Sequence, residues 1–394
     1  MFRRYILNEV SQMFLLFLIL CLAKKSNPNL RSITKNHKPI HFCSFVTTPI
    51  LQNQSTSIHY YYYYYCYYYS PGYVRHAKKY TAPVQDSPTI RVGQEGADGV
   101  DLNGKVVVIT GANGGLGKEL ATYAAAKGAT LYMICRSQER AEEARQEILQ
   151  ATSASADNIK ILQANVGELA QVRKAVAELQ ASEPKVDCLV CNAGALLNER
   201  TETSEGHEVT FASHLLGGSY LLSQLLVPQL KAANPPARVI FVTSGGMLTT
   251  KFPDWKTATC TQDENRDKKY SGELAYAYAK RAQVLLAERL TRETPEVQWV
   301  TAHPGWTATP GVDSAFGDNK KYLEPMRSLW QGVEGMAWLL GAPSGDVTSG
   351  AFYLDRTPQA KHISGPFFSE GSFTKNTEQD VDEMMAQLKK AAGM

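Results

Sequence analysis

Tyr276 and Lys280, in the stretch ELAYAYAKRAQ (residues 273–283), stand four positions apart. On a helix that spacing puts two side chains on one face, about 5–6 Å from each other. A phenol with an ordinary pKa of about 10 is poorly matched to proton transfer near neutrality, and a neighbouring ammonium favours the phenolate. Tyr278 lies two positions from Lys280, roughly 200° around the helix, and cannot face the same site. The pair therefore suits proton transfer to or from a substrate oxygen. Tyr and Lys also occur on ordinary amphipathic helix faces, so the reading needs support from elsewhere in the chain.

A second chemical feature is TGANGGLG, with Gly111, Gly115 and Gly117 in the turn. The first allows a tight turn, the second lets a pyrophosphate approach the backbone, and the third allows close helix–strand packing. The phosphates would meet the unpaired N–H groups and positive dipole of the following helix. The turn lies between a predicted strand and a predicted helix, the context that gives such a pattern weight. At the end of the second predicted strand, MICRSQER, Arg136 comes first and no acidic residue follows before Glu139. An acid there would bond a ribose 2′-OH, whereas a basic residue accepts a 2′-phosphate. NADP(H) is the expected cofactor.

The elements that must position these residues follow a regular order from Leu102 onward. Apolar runs read as strands in KVVVIT, ATLYMICR, IKILQAN, VDCLVCNAG, ARVIFVTSGG, VQWVTAHPG and GAFYLD, and most are separated by helical segments. Such alternation implies an α/β fold with a doubly wound parallel sheet, the Rossmann arrangement. Residues 101–385 are expected to form one such domain, since no linker-like stretch divides them. Residues 1–70 read as a low-complexity or targeting-like extension, and 71–100 as a linker or N-terminal arm. The extension holds an eleven-residue apolar run at 13–23, too short to span a bilayer, flanked by Lys24 and Lys25. It also holds nine tyrosines between Tyr60 and Tyr69, best described as low complexity.

Composition bounds the rest. The net charge of +3 divides unevenly: residues 1–94 carry eleven Lys and Arg against two acids, and the remainder thirty against thirty-six. That acidic remainder excludes a nucleic-acid surface, which needs clustered cations. Seven cysteines have no disulfide-scaffold or zinc spacing. Cys188 and Cys191 read as C-x-x-C, but three apart on a strand they point to opposite faces and could not share a metal. No metal site is expected. A reducing, cytoplasmic setting suits this cysteine usage, with membrane association through residues 13–25 as a further expectation.

The glycine turn, the CNAG of residues 191–194, the Thr243-Ser244 pair ending the fifth strand and the Tyr-x-x-x-Lys pair occur in one order, over about residues 101–355. In this the chain resembles the short-chain dehydrogenase/reductase superfamily. The resemblance implies that Ser244 bonds the substrate carbonyl, that Tyr276 is the acid and that Lys280 is its partner. It also implies cofactor contacts from Gly111, Asn113, Gly115, Leu116, Gly117, Asn165, Val166, Asn192, Ala193, Gly194, Pro304, Gly305 and Thr309, with Thr309 on the nicotinamide carboxamide and Tyr276 and Lys280 beside the ribose. Three positions depart from the pattern: Cys191 replaces an asparagine, Asn165 an aspartate, and His214 the helix asparagine that holds a water in the proton relay. His214 is therefore the expected fourth member of the catalytic set.

For the substrate, the segment after the sixth strand carries Trp306, Phe316, Tyr322, Met326, Trp330 and Trp338, which suggests a lipophilic carbonyl or alcohol. Leu323, Met326, Trp330, Val333, Ala337 and Leu340 have helical spacing and read first as core, leaving Trp306 and Phe316 for the pocket. The polar stretch 249–273 reads as a surface loop near the site mouth. The competing function is a catalytically weak dinucleotide-binding sensor or scaffold. The resemblance also implies a homo-oligomer.

Overall fold

The computed structural model describes residues 100–260, 270–317, 326–362, 369–371 and 374–394. The expectations for residues 1–70 and 71–99, the segment 13–25 among them, lie outside the described residues. Strands β1 (Val106–Thr110), β2 (Thr130–Cys135), β3 (Ile159–Gln163), β4 (Cys188–Cys191), β5 (Arg238–Val242), β6 (Gln298–His303) and β7 (Phe352–Leu354) coincide with the seven apolar runs of the sequence. β1 is buried along its whole length, and its alternate residues enter different cores. Val106 and Val108 join one apolar cluster, Val107 and Ile109 the other. Such a strand is stable only between two layers of helices.

The sheet order is β3-β2-β1-β4-β5-β6-β7-β8. All pairs are parallel up to β7. The last strand, β8 (Thr357–Gln359), is antiparallel to β7. It was absent from the sequence reading because its three residues, TPQ, are exposed and carry no apolar pattern.

Among the described residues the longer helical segments are α1 (Gly115–Ala126), α2 (Gln138–Ala151), α3 (Leu169–Ser182), α4 (Val209–Phe211, continuing through Ala212–Leu221 and Leu222–Leu225), α5 (Val227–Lys231), α6 (Trp255–Ala258), α7 (Gly272–Glu293), α8 (Pro310–Phe316), α9 (Leu329–Gly341) and α10 (Glu378–Ala391). Leu216 of α4, Leu286 of α7 and Leu388 of α10 fill the cluster on one sheet face, while Leu120 of α1, Ile148 of α2 and Val333 of α9 fill the other. α7 starts where Ser271 caps the Leu274 N–H, with Glu273 in its first turn and Arg292 in its last, in keeping with the helix dipole.

Three local features add to or modify the sequence expectations. The central part of α4, Ala212–Leu221, is wound as a π-helix, a form that no sequence periodicity announced. Its wider turn directs the Ser213 carbonyl at Gly218, where a Cβ would lie 1.8 Å from that oxygen. Of the expected apolar stripe, Trp330, Val333, Ala337 and Leu340 lie on α9, which Ser328 and Gln331 start with a reciprocal capping box. Val333 and Ala337 are core, Met326 precedes the helix, and Leu323 and Tyr322 lie outside the described residues. Finally, the stretch after Thr249 is not simply a surface loop. Phe252 and Ala258 are buried, and Trp255 packs edge-on against Phe211 with ring centroids 5.2 Å apart.

Candidate active site

Between β1 and β4 the strand order reverses, and crevices outside the carboxyl ends of strands form at such points. The glycine turn leaves β1 there, and Asn192–Gly194 leaves β4. Thr110, the last residue of β1, joins them: its Oγ1 accepts from the N–H groups of Asn192 and Ala193, both at 2.9 Å, and Asn192 Nδ2 donates to the Thr110 carbonyl at 2.9 Å. Gly111 has φ +67°, a conformation that favours glycine. A Cβ on Gly117 would lie 2.2 Å from the Gly111 carbonyl oxygen, so the closeness of α1 to β1 depends on that glycine.

The residues present fit a dinucleotide phosphate. α1 begins without a capping side chain and without an acid in its first turn, which leaves its N-terminal dipole uncompensated. No atom lies within 4 Å of where a Cβ on Gly114 would be. Across the turn, a Cβ on Gly115 would stand 4.0 Å from Thr309 Cβ. Pro304, Gly305 and Thr309 thus form a loop that overhangs the glycine turn. The Thr309 hydroxyl accepts from the Val312 N–H at 3.3 Å and keeps its own proton to donate. Asn113 and Leu116 are half-buried in the turn, and Arg136 is exposed directly after β2. Asn165 accepts from the Gly167 N–H at 3.2 Å. The Val166 side chain points into the core, where Cγ2 would be 3.3 Å from a Cβ on Gly218.

Ser244 follows β5, and its Oγ accepts from the Gly246 N–H at 3.1 Å. Tyr276 and Lys280 come to the same place from α7. Ser244 stands beside the Tyr276 phenol and draws its pKa down, and Lys280 Nζ lies 5.3 Å from the Tyr276 ring centroid. Tyr278 is half-buried, with Asp254 and Cys260 in its neighbourhood. The expected lowering of the Tyr276 pKa is corrected. Burial raises it, and Ser244 offsets only part of that rise. Lys280 is itself buried, donates to the Val242 carbonyl at 2.6 Å, and is pushed down to about 7 by loss of solvation. A cation so easily neutralised does little to draw a proton from the phenol.

His214 belongs to this cluster, its ring edge-on to Tyr276. Its Nε2 is 3.0 Å from the Ala195 carbonyl. A carbonyl only accepts, so Nε2 carries the proton and Nδ1 presents a lone pair. Nδ1 is buried and has no hydrogen-bond partner among the described residues. Burial first, and then Lys280, hold the imidazole well below its usual pKa. The relay role expected of His214 is therefore limited to accepting a hydrogen bond, since a neutral ring fixed in this tautomer has no proton to release at Nδ1. Two side chains reach the His214 carbonyl within the π-helical turn: Ser219 Oγ donates to it at 2.6 Å and Gln283 Nε2 at 3.0 Å.

Thr110, Gln283 and the pair Arg327 and Asp355 were missed in the sequence. Gln283 is seven residues from Tyr276, two turns along the same face, a signal that was legible. The two C-x-x-C cysteines lie in opposite cores, Cys188 in one and Cys191 in the other. Burial pushes the Cys188 thiol up to about 12. Trp306 is half-buried, while the Phe316 side chain lies outside what the structure describes.

The family model described as short chain dehydrogenase matches residues 105–253. Over 292 residues the chain is 35% identical to dehydrogenase/reductase SDR family member 12 of Homo sapiens, covering 73% of this chain and 87% of that one. Retinol dehydrogenase 14 of Mus musculus is 30% identical over 304 residues, 75% of this chain and 86% of the relative. Among solved structures, a short chain dehydrogenase from Escherichia coli CFT073 complexed with NADPH superposes with a TM-score of 0.50 at 21% identity, covering 65% of this chain and 98% of that one. The sheet order and the similarity to these relatives agree: the chain belongs to the short-chain dehydrogenase/reductase superfamily of oxidoreductases.

Proposed function

We propose that the protein interconverts a lipophilic carbonyl compound and its alcohol with NADP(H), Tyr276 serving as general acid and base. The observation that carries this reading is the meeting of Ser244, Tyr276 and Lys280 beside a glycine turn whose helix start has no capping side chain. When bound, the nicotinamide supplies or takes up the hydride. The chain's own residues do the rest. Ser244 donates a hydrogen bond to the oxygen on which charge develops, and the Tyr276 phenol gives that oxygen its proton during reduction. The raised phenol pKa keeps the proton on Tyr276 until the oxygen can take it, which suits the reductive direction. Lys280 holds α7 to the end of β5 through Val242, and His214 Nδ1 offers an acceptor at the back of the site.

Arg136 supports NADP(H) over NAD(H) because its planar donors match a 2′-phosphate, and the Escherichia coli protein named above is complexed with NADPH. Trp306 and the retinol in the mouse relative's name support a lipophilic substrate. A Tyr276→Phe variant tests the assignment. Carbonyl-dependent NADPH oxidation is expected to fall by roughly 10²–10⁴-fold, with NADPH binding retained and with Tyr278→Phe close to wild type. Full activity in Tyr276→Phe would reject the assignment.

The alternative, a dinucleotide-binding sensor with weak catalysis, draws support from the neutral, tautomer-fixed His214. It predicts NADPH binding by wild-type protein with no turnover of any carbonyl in a panel of retinal-like, steroid-like and small polar substrates.

A further inference from the structure

Arg327 and Asp355 form a buried ion pair, 3% and 9% exposed, with Nη1 2.7 Å from Oδ1 and Nη2 3.2 Å from Oδ2. A buried pair of this kind adds little net stability, because desolvation offsets the attraction. Its two-pronged geometry does fix direction. Asp355 is the first residue beyond β7 and is held with φ +57°. α9 packs against it so closely that a Cβ on Gly335 would lie 3.0 Å from Asp355 Cα. The guanidinium is thereby tied to the end of the sheet.

From that anchor Arg327 grips the loop after β6 at four points. Its Nη1 donates to the Pro304 carbonyl at 3.4 Å, and its backbone N–H donates to the Trp306 carbonyl at 2.7 Å. Its carbonyl accepts from the Ala308 N–H at 3.0 Å. Its side chain passes beside Gly305, where a Cβ would stand 2.5 Å from Nε. This is the loop whose Thr309 overhangs Gly115. We propose that Arg327 and Asp355 are positioning residues: the ion pair sets the height of the Pro304–Thr309 loop above the glycine turn, and through it the fit of the bound dinucleotide. This rests on the function proposed above, but the loop geometry can be tested without turnover.

The test uses the full chain with Asp355→Asn and the double variant Arg327→Met/Asp355→Leu. The double variant removes both charges and so avoids an unpaired buried ion, which keeps it folded even if the single variant is not. Hydrogen exchange of the peptide spanning 304–309 is expected to quicken about tenfold or more in the folded double variant, with β1 and β2 peptides unchanged. The Kd for NADPH, titrated by fluorescence, is expected to rise about tenfold with little change in melting temperature. A double variant whose 304–309 peptide exchanges as slowly as wild type overturns the proposal, and so does uniform quickening across all peptides, the mark of a merely structural role. Wild-type protein that binds no NADPH counts against the proposed function, while the exchange result still judges the pair.

Discussion

The rings of His214 and Tyr276 meet edge to face, with centroids 5.1 Å apart and planes at 86°. Because the imidazole is buried and near Lys280, its protonation is suppressed well below the usual range. A folded-state pKa below the unfolded one means that the unfolded chain binds the proton first as pH falls. The stability owed to a neutral His214 is present above about pH 6.5 and is lost as pH falls from there through the folded pKa. In urea denaturation at pH 7, 6 and 5, wild type is expected to lose stability relative to His214→Asn at each step. A constant difference between the two would show that the imidazole does not titrate as the geometry requires.

Lys280 gives the same sign in another window. Its folded pKa is about 7, and that of an unfolded lysine is about 10.4. Between these values the unfolded chain holds a proton that the folded chain has released, so stability rises with pH. Compared with Lys280→Met, wild type is expected to gain up to about 1.4 kcal/mol per pH unit between pH 7.5 and 9.5. Equal slopes for the two proteins would place the ammonium in water instead of against Val242.

The glycine turn separates two neighbouring positions. Gly117→Ala drives a methyl group into the Gly111 carbonyl and Asn192 Nδ2, and is expected to cost about 1–3 kcal/mol and to abolish NADPH binding. Gly114→Ala meets nothing within 4 Å on an extended backbone with φ −172°, and is expected to cost about 1 kcal/mol or less. Thermal melts with NADPH titrations compare the two, and equal effects would contradict the packing described.

Arg136→Ala is expected to raise KM for NADPH by roughly 10–100-fold, as loss of a charge-assisted bond implies, with KM for NADH little changed. Steady-state kinetics with both cofactors decide this. An unaltered ratio means that the exposed guanidinium does not meet the 2′-phosphate.

How far the site could be read before the structure depended on how local its causes are. Tyr276 was separable from Tyr278 because helical periodicity needs only neighbours in sequence, and strand alternation likewise put Cys188 and Cys191 in different cores. The Lys280 pKa was not legible: sequence shows a cation four residues from a phenol, but not that the lysine is buried and that its Nζ is turned to a carbonyl. Nor was the π-helical winding of Ala212–Leu221, whose apolar and small residues would suit an ordinary helix. Arg327 and Asp355 are 28 positions apart, with no periodicity linking them, and only the return of the chain to the sheet end brings them together. β8 escaped notice for the opposite reason, being short, exposed and polar.

The His214 ring occupies the space that any side chain at position 194 would need, since a Cβ on Gly194 would stand 1.8 Å from Cε1 and 2.1 Å from Nδ1. The two positions are therefore bound in mutational order. Residue 194 can accept an alanine only after residue 214 has become smaller, so an evolutionary or laboratory path between imidazole and another group at 214 passes through glycine at 194. Libraries that vary one position alone would score the other as immutable, although the constraint belongs to the pair.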